Sequence, residues 1–235
     1  LEFANSPIVT EAADLFYFNN QHNVIWVTAD GIGDQKGTKL DVSIKVSNGV
    51  NSPVDLNLNV SLKAGFVKQF GQVGGSEFRK QEMLFSPFNF KFSPSTEKKY
   101  EDFRSKSLIG DALNLTYGEF ASYVNRNGER FGDDLKKAIT KYMIGDEDII
   151  LVQLNKKSSI YDPRKLVFSG KISAEIKETR VTVGDRTESY PKLSLYLTRS
   201  GKKFHVLDIR TKVENGSYVR NYIEKGNDLH SLQVE

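Results

Sequence analysis

The stretch that decides the fold is TKLDVSIKVSNGVNSPVDLNLNVSLKAG, residues 38 to 65. It alternates apolar and polar residues on both sides of a turn signal at 48–53, which predicts an antiparallel hairpin. Folding the chain there puts Asp41 opposite position 60 or 61, where cross-strand neighbours lie about 5 Å apart. Ser61 and Lys63 share a strand face, so a carboxylate and an ammonium group meet. This pairing suits a divalent cation beside a phosphate group.

Outward from the hairpin, the N-terminal side predicts a helix over 7–19, with Ser6 as N-cap and Pro7 at its first position. The apolar run NVIWVTA predicts a strand near 23–29. On the C-terminal side, FVKQFGQVGG (66–75) predicts a short helix that ends at its two glycines. The aromatic stretch SPFNFKFSPSTEKKYEDF (86–103) predicts an extended connection with one edge strand.

Farther along, two segments within 101–144 have apolar residues at helical spacing and predict two helices. EDIILVQLN predicts a buried strand near 147–154, and the remainder alternates as an antiparallel meander with turns at 184–185 and 200–201. We therefore expect an α/β (α+β) fold, a mixed sheet flanked by helices with a helical insertion and a C-terminal antiparallel β region. The expected domains are 1–95, 96–146 and 147–235, and one continuous domain remains an alternative.

An aspartate, a hairpin and then x-x-Lys on the next strand resembles the core of the PD-(D/E)xK nuclease superfamily, which includes many restriction endonucleases. The resemblance covers about residues 7 to 80. Ser61 stands where that family usually has a carboxylate, as in a branch with Ser-x-Lys. In that branch a glutamate about fourteen residues downstream supplies the carboxylate, and Glu77 is fourteen residues after Lys63. Gln69 and Gln72 lie where related nucleases carry an active-site glutamine on a helix.

The resemblance implies a metal-dependent DNA endonuclease of restriction-enzyme type. Mg²⁺ or Mn²⁺ would be held by Asp41 and Glu77, with Glu11 on the opening helix as a further carboxylate, and Lys63 would stabilise charge on the phosphate. The alternative is an inactive nuclease-fold module, marked by Ser61, that binds DNA or a protein partner. A purely structural β-rich protein is a third hypothesis. For each of these residues, an ordinary solvated strand or helix surface is the competing interpretation.

His205 and Asp208 form a separate candidate. Their His-x-x-Asp spacing resembles that of a small family of restriction DNA glycosylases. Strand alternation, however, predicts opposite faces for residues three apart unless a bulge intervenes, so we do not expect a joint acid–base pair.

Composition constrains function weakly. A net charge of +3 and a pI near 8.8 permit phosphate binding. The chain has no cysteine, which excludes disulfides and thiolate-bound metal and favours a reducing, cytoplasmic setting. No apolar run in the sequence is long enough to predict a membrane span. The expected partner is double-stranded DNA, and a homodimer that cuts both strands remains open. Basic residues concentrated near the C-terminus are the candidate DNA contacts: Lys202, Lys203, Arg210, Lys212 and Arg220.

Overall fold

A computed structural model describes residues 26–31, 42–47, 56–64, 68–145, 149–154, 159–161, 165–183, 186–214 and 218–233. Contacts divide the chain into two compact units. The first comprises Leu1–Val67 and Ile144–Asp162, and the second comprises Lys68–Met143 and Pro163–Glu235. The helix predicted over 7–19 lies outside the described residues.

The described residues form ten strands and four α-helices. The strands are β1 Trp26–Gly31, β2 Val42–Ser47, β3 Leu56–Ala64, β4 Gln69–Gly74, β5 Ile149–Leu154, β6 Ser159–Tyr161, β7 Lys171–Val183, β8 Arg186–Arg199, β9 Lys202–Glu214 and β10 Tyr218–Lys225. The helices are α1 Phe78–Phe85, α2 Pro94–Ser105, α3 Ile109–Asn127 and α4 Gly132–Ile144, with 3₁₀ turns at Ser86–Phe88 and Leu229–Leu232.

The first unit contains a mixed sheet in the order β1-β2-β3-β5-β6. Strands β1, β2 and β3 form an antiparallel meander, whereas β5 pairs with β3 in parallel. The predicted hairpin, the strand near 23–29 and the strand near 147–154 are therefore confirmed. A parallel pair needs a long crossover, and here the connection from β3 to β5 includes all four described helices.

The second unit contains an antiparallel sheet in the order β4-β10-β9-β8-β7. Its strands β7 to β10 are the predicted C-terminal meander, and α3 and α4 are the two predicted helices. The mixed α+β class is confirmed. One face of this sheet is apolar and packs against α3, and the other carries most of the sheet's charged side chains.

Helix α3 is fixed against β7 at close range. The Asn125 side chain accepts a hydrogen bond from Ala174 N (2.8 Å) and donates one to Ala174 O (3.0 Å). Beside it, Ile172 N donates to Gly128 O at 2.9 Å. Aromatic side chains of this unit pack into one cluster. The shortest distance between two of their ring centroids is 4.5 Å, between Phe85 and Phe120.

Two sequence predictions in this unit are wrong. Residues 69–74 form β4, paired with β10, because Gly71 and Gly74 disfavour a helix and the neighbouring strand offers a full hydrogen-bond ladder. The extended connection expected over 86–103 gives way to helix α2 from Pro94 onward. Ser93 is its N-cap, accepting from Thr96 N at 3.3 Å, and Pro94 occupies a first-turn position.

The domain boundaries predicted after residues 95 and 146 stay a prediction. In the described part of the chain, no helix has the length and apolar character needed to cross a membrane.

Candidate active site and nucleic-acid interface

The β2–β3 hairpin has the register that the sequence predicts as far as it is described. Val42 pairs with Val60, and Ser43 pairs with Asn59. Asp41, the residue next to Val42, lies outside the described residues, as does Glu11. On the other side of β3, Ser61 pairs with Leu151 of β5 and Lys63 pairs with Gln153. Ser61 and Lys63 thus lie in the interior of the mixed sheet, two residues apart on one strand.

Ser61 is a packed position. Its exposed fraction is 0 %, and that of its neighbour Val60 is 1 %. Adjacent residues of a strand point to opposite faces, so β3 is covered on both faces at this point. A neutral hydroxyl therefore occupies the place where the resemblance would put a carboxylate, and it does so away from bulk water.

The remaining predicted active-site residues belong to the second unit. Glu77 is the N-cap residue of α1, is exposed, and makes no capping hydrogen bond with its side chain. Gln69 and Gln72 lie on β4, where Gln69 Nε2 lies 3.4 Å from Gln72 Oε1. Arg220 also donates to Gln72 Oε1, at 3.0 Å. The convergence of Glu77 with Asp41 and Lys63 stays a prediction.

Among the described residues, no group of three or more histidine, aspartate or glutamate side chains could hold a metal ion. The carboxylate set implied by the resemblance includes Asp41 and Glu11, which are not described. Of that set only Glu77 is described, and its exposed carboxylate, unused in capping, is chemically suited to Mg²⁺ or Mn²⁺.

Four of the five predicted DNA contacts share the polar face of the second sheet, by strand register. Lys203 pairs with Glu175 and lies 4.0 Å from the centre of the Tyr196 ring. Arg210 pairs with Glu224. The other two on this face are Lys212 and Arg220, and Lys202 lies at the exposed tip of the β8–β9 hairpin.

His205 and Asp208 are brought together, against the expectation from strand alternation. Leu195 pairs with Leu207 but Tyr196 pairs with His205, so a β-bulge at Val206 intervenes between β8 and β9. His205 Nε2 lies 2.8 Å from Asp208 Oδ1. The sequence HVLD alone gives no signal for this extra residue.

The Asp208 carboxylate is almost fully enclosed, with 8 % of its side chain exposed. Oδ1 accepts from Ser194 Oγ at 2.6 Å, and Oδ2 lies 2.9 Å from Lys192 Nζ. Burial alone would raise the pKa of Asp208, but the hydrogen bonds from Ser194, Lys192 and His205 outweigh it and lower that pKa.

The His205 ring is also held by hydrogen bonds within the protein. Its Nδ1 accepts from the backbone N–H of Asn227 at 3.3 Å, so the proton lies on Nε2 and is donated to Asp208. Both ring nitrogens and both carboxylate oxygens have partners within the protein. The cluster is therefore arranged to hold the bulge, and it does not present a base to a substrate.

Two open grooves flank the turn between α3 and α4. One has a volume of about 410 Å³ and is lined by Arg126, Arg130 and Lys171, and the other, of about 370 Å³, is lined by Lys136 and residues 166–170. Neither groove contains a residue that the sequence predicts for catalysis.

Two solved structures resemble this chain, and both are restriction endonucleases in complex with DNA. Restriction endonuclease MspI with its cognate DNA gives a TM-score of 0.38 at 9 % identity, over 94 % of this chain and 81 % of that one. HhaI endonuclease with DNA gives a TM-score of 0.24 at 12 % identity, over 94 % and 85 %. No protein-family model matches the chain, and no curated protein matches it. The likeness is weak, so the proposals below rest on residues of this chain.

Proposed function

We propose that this chain is a metal-dependent DNA endonuclease of restriction-enzyme type that hydrolyses phosphodiester bonds. The observation that carries the proposal is the β2–β3 register, in which Val42 pairs with Val60 and a parallel strand flanks Lys63. If the ladder continues by one pair, Asp41 is opposite Ser61. The mixed sheet of the first unit is also what the Asp–hairpin–Lys resemblance implies.

In this proposal Asp41 and Glu77 hold one or two Mg²⁺ or Mn²⁺ ions, with Glu11 as a further carboxylate. The metal would supply a polarised phosphate and an activated water. The Lys63 ammonium stabilises the charge that develops on the phosphate. Gln69 and Gln72 are supporting polar groups, and Ser61 fills the ligand position without charge.

The experiment is cleavage of supercoiled plasmid DNA with and without Mg²⁺ or Mn²⁺. Wild-type protein should cleave only with metal, and Lys63→Ala should abolish cleavage while duplex binding in chelator survives. Lys98→Ala is the matched control, because Lys98 is an exposed lysine on α2 that has no role in the proposed site. Metal-independent cleavage, or full activity of Lys63→Ala, would refute the proposal.

The second candidate is a module that binds DNA, or a protein partner, without catalysis. Ser61 favours it, because a neutral residue with an exposed fraction of 0 % is a poor metal ligand. This candidate predicts salt-sensitive DNA binding with no effect of divalent ions on either cleavage or melting temperature. The cleavage experiment distinguishes it from the first. Assembly as a homodimer and a cytoplasmic location remain parts of the proposal.

A further inference from the structure

The polar face of the second sheet carries a row of cations that crosses three neighbouring strands. Lys177 of β7 is directly opposite Lys192 of β8, which is directly opposite Arg210 of β9. The row continues through Tyr222 of β10 to Gln72 of β4. Strands lie about 4.8 Å apart, so the three cationic residues follow one line about 10 Å long.

A second pair of cations lies beside this row. Lys212 of β9 is directly opposite Arg220 of β10, and Lys212 is two residues from Arg210 on the same face. We call Lys177, Lys192, Arg210, Lys212 and Arg220 the basic stripe. Directly opposed like charges destabilise a sheet, so this arrangement costs stability in the free protein.

Two carboxylates offset part of that cost. Asp208 pairs with Lys192, and Glu224 pairs with Arg210, each from the neighbouring row of the same face. Two of the five cations in the stripe, Lys192 and Arg210, therefore have a carboxylate partner on this face. Among the described residues, neither Lys177 nor Lys212 forms an ion pair. Arg210 also has a buried Nε that lacks an acceptor in the described part of the chain.

Tyr222, the cross-strand neighbour of Arg210, is not exposed as a stacking platform. Tyr222 is 7 % exposed, and the Lys212 ammonium lies 4.7 Å from the centre of its ring. Binding of single strands depends on exposed aromatic side chains that stack on bases, whereas contact with a duplex backbone depends on charge. The stripe therefore fits a line of duplex phosphates better than unpaired bases.

We propose that the basic stripe binds the phosphodiester backbone of duplex DNA without reading its sequence. This inference rests on the proposed function, names the surface that would hold the substrate, and adds Lys177 and Lys192 to the predicted contacts. The phosphates relieve the repulsion between the opposed cations.

The test is fluorescence anisotropy of a labelled duplex of arbitrary sequence, in chelator, over a series of salt concentrations. The double variant Lys177→Gln with Lys212→Gln should reduce the slope of log affinity against log salt by about 1.8, or about 0.9 per lost phosphate contact. The matched control removes two exposed lysines of α2, by Lys98→Gln with Lys99→Gln, and should keep the wild-type slope. Equal slopes for the two double variants would overturn the proposal.

Glu224→Gln provides a test of opposite sign. It removes the negative charge that competes with phosphate for Arg210, and it retains a side-chain oxygen of similar geometry. We expect duplex affinity to rise about fivefold at low salt, the scale of one close charge interaction in water. An unchanged or lower affinity in a correctly folded Glu224→Gln would contradict a role for Arg210.

Failure of this inference can be told apart from failure of the proposed function. Binding in chelator does not require hydrolysis, so a protein that never cleaves DNA can still show the predicted loss of slope. Conversely, the protein could cleave DNA while the double variant keeps the wild-type slope of log affinity against log salt. In that case this inference fails and the nuclease proposal stands. Tighter binding of a single strand than of the matching duplex would also overturn the inference.

Discussion

His205 Nε2 lies 2.8 Å from Asp208 Oδ1, although the two residues are three apart on one strand. Without a bulge, alternation would place them on opposite faces of the sheet. The extra residue, Val206, puts both side chains on one face, and the backbone of Gly226 donates to Val206 O at 2.7 Å. A local irregularity of the ladder thereby creates the most enclosed charged cluster among the described residues of the second sheet.

Asp208→Asn should change how stability depends on pH. Because the folded-state pKa of Asp208 is lowered, its carboxylate stabilises the fold fully above the unfolded pKa, about 3.9, and loses that effect as pH falls through the lower folded pKa. We expect Asp208→Asn to cost about 2–3 kcal/mol at pH 7, since Lys192 loses its charged partner.

Urea unfolding at a series of pH values checks this prediction. The stability difference between the wild-type protein and Asp208→Asn should shrink steadily as the pH is lowered below about 4. A difference that stays constant down to the lowest pH at which both proteins fold would show that the Asp208 charge does not contribute.

Two glycines of helix α3 should respond to alanine with opposite signs. A Cβ at Gly110 would lie 2.4 Å from Ser189 O, whereas a Cβ at Gly118 would meet no atom within 4 Å. We expect Gly110→Ala to destabilise the fold by about 1–3 kcal/mol through overpacking. Gly118→Ala should stabilise it by about 0.5–1 kcal/mol through helix propensity. Chemical denaturation of both variants tests the close packing of α3 on β8, and equal effects would contradict it.

Ser61→Glu should make the stability of the mixed sheet depend on metal binding. A buried carboxylate without a partner costs several kcal/mol, so the variant should melt well below Ser61→Ala in chelator. If a metal site lies beside Ser61, Mn²⁺ binds the folded state and should raise the melting temperature of Ser61→Glu more than that of Ser61→Ala. Equal Mn²⁺ shifts in the two variants would argue against a metal at this position.

Glu77→Gln should show whether Glu77 is a metal ligand or an ordinary surface residue. Glu77 is exposed and its side chain does not cap α1, so stability should change by less than about 0.5 kcal/mol. If Glu77 binds the metal, cleavage by the variant should require a higher Mg²⁺ concentration. Exposed Glu82 on the same helix provides the control, and identical Mg²⁺ dependence of Glu77→Gln and Glu82→Gln would exclude Glu77.

Sequence patterns predicted the elements whose signals are local and periodic. The alternation of residues 38–65 gave the hairpin register to within one residue at Val42 and Val60. The helical spacing within 101–144 predicted α3 and α4, and the alternation after residue 165 predicted the meander. In each case one face of the strand or helix is buried, so apolar residues recur along the sequence with the period of that element.

The failures have two physical causes. Strand β4 depends on pairing with β10, which is distant in sequence, and no local pattern reveals that partner. The bulge at Val206 depends on how β9 pairs with β8, and the alternation of residues within β9 does not show it. For α2, the signal was present, because Ser93 and Pro94 form an N-cap and first-turn pair, but the aromatic residues before it indicated an extended chain. The candidate site was predictable only where the hairpin register determines it.

The central claim is that Asp41 and Lys63 act together on a metal-bound phosphodiester. The most direct test is Mg²⁺-dependent cleavage of duplex DNA by Asp41→Asn and Lys63→Ala, with binding of the same duplex measured in chelator. We predict that both variants lose cleavage by at least about a hundredfold, the scale of one catalytic group, and keep wild-type affinity. Cleavage at the wild-type rate by either folded variant would contradict the account.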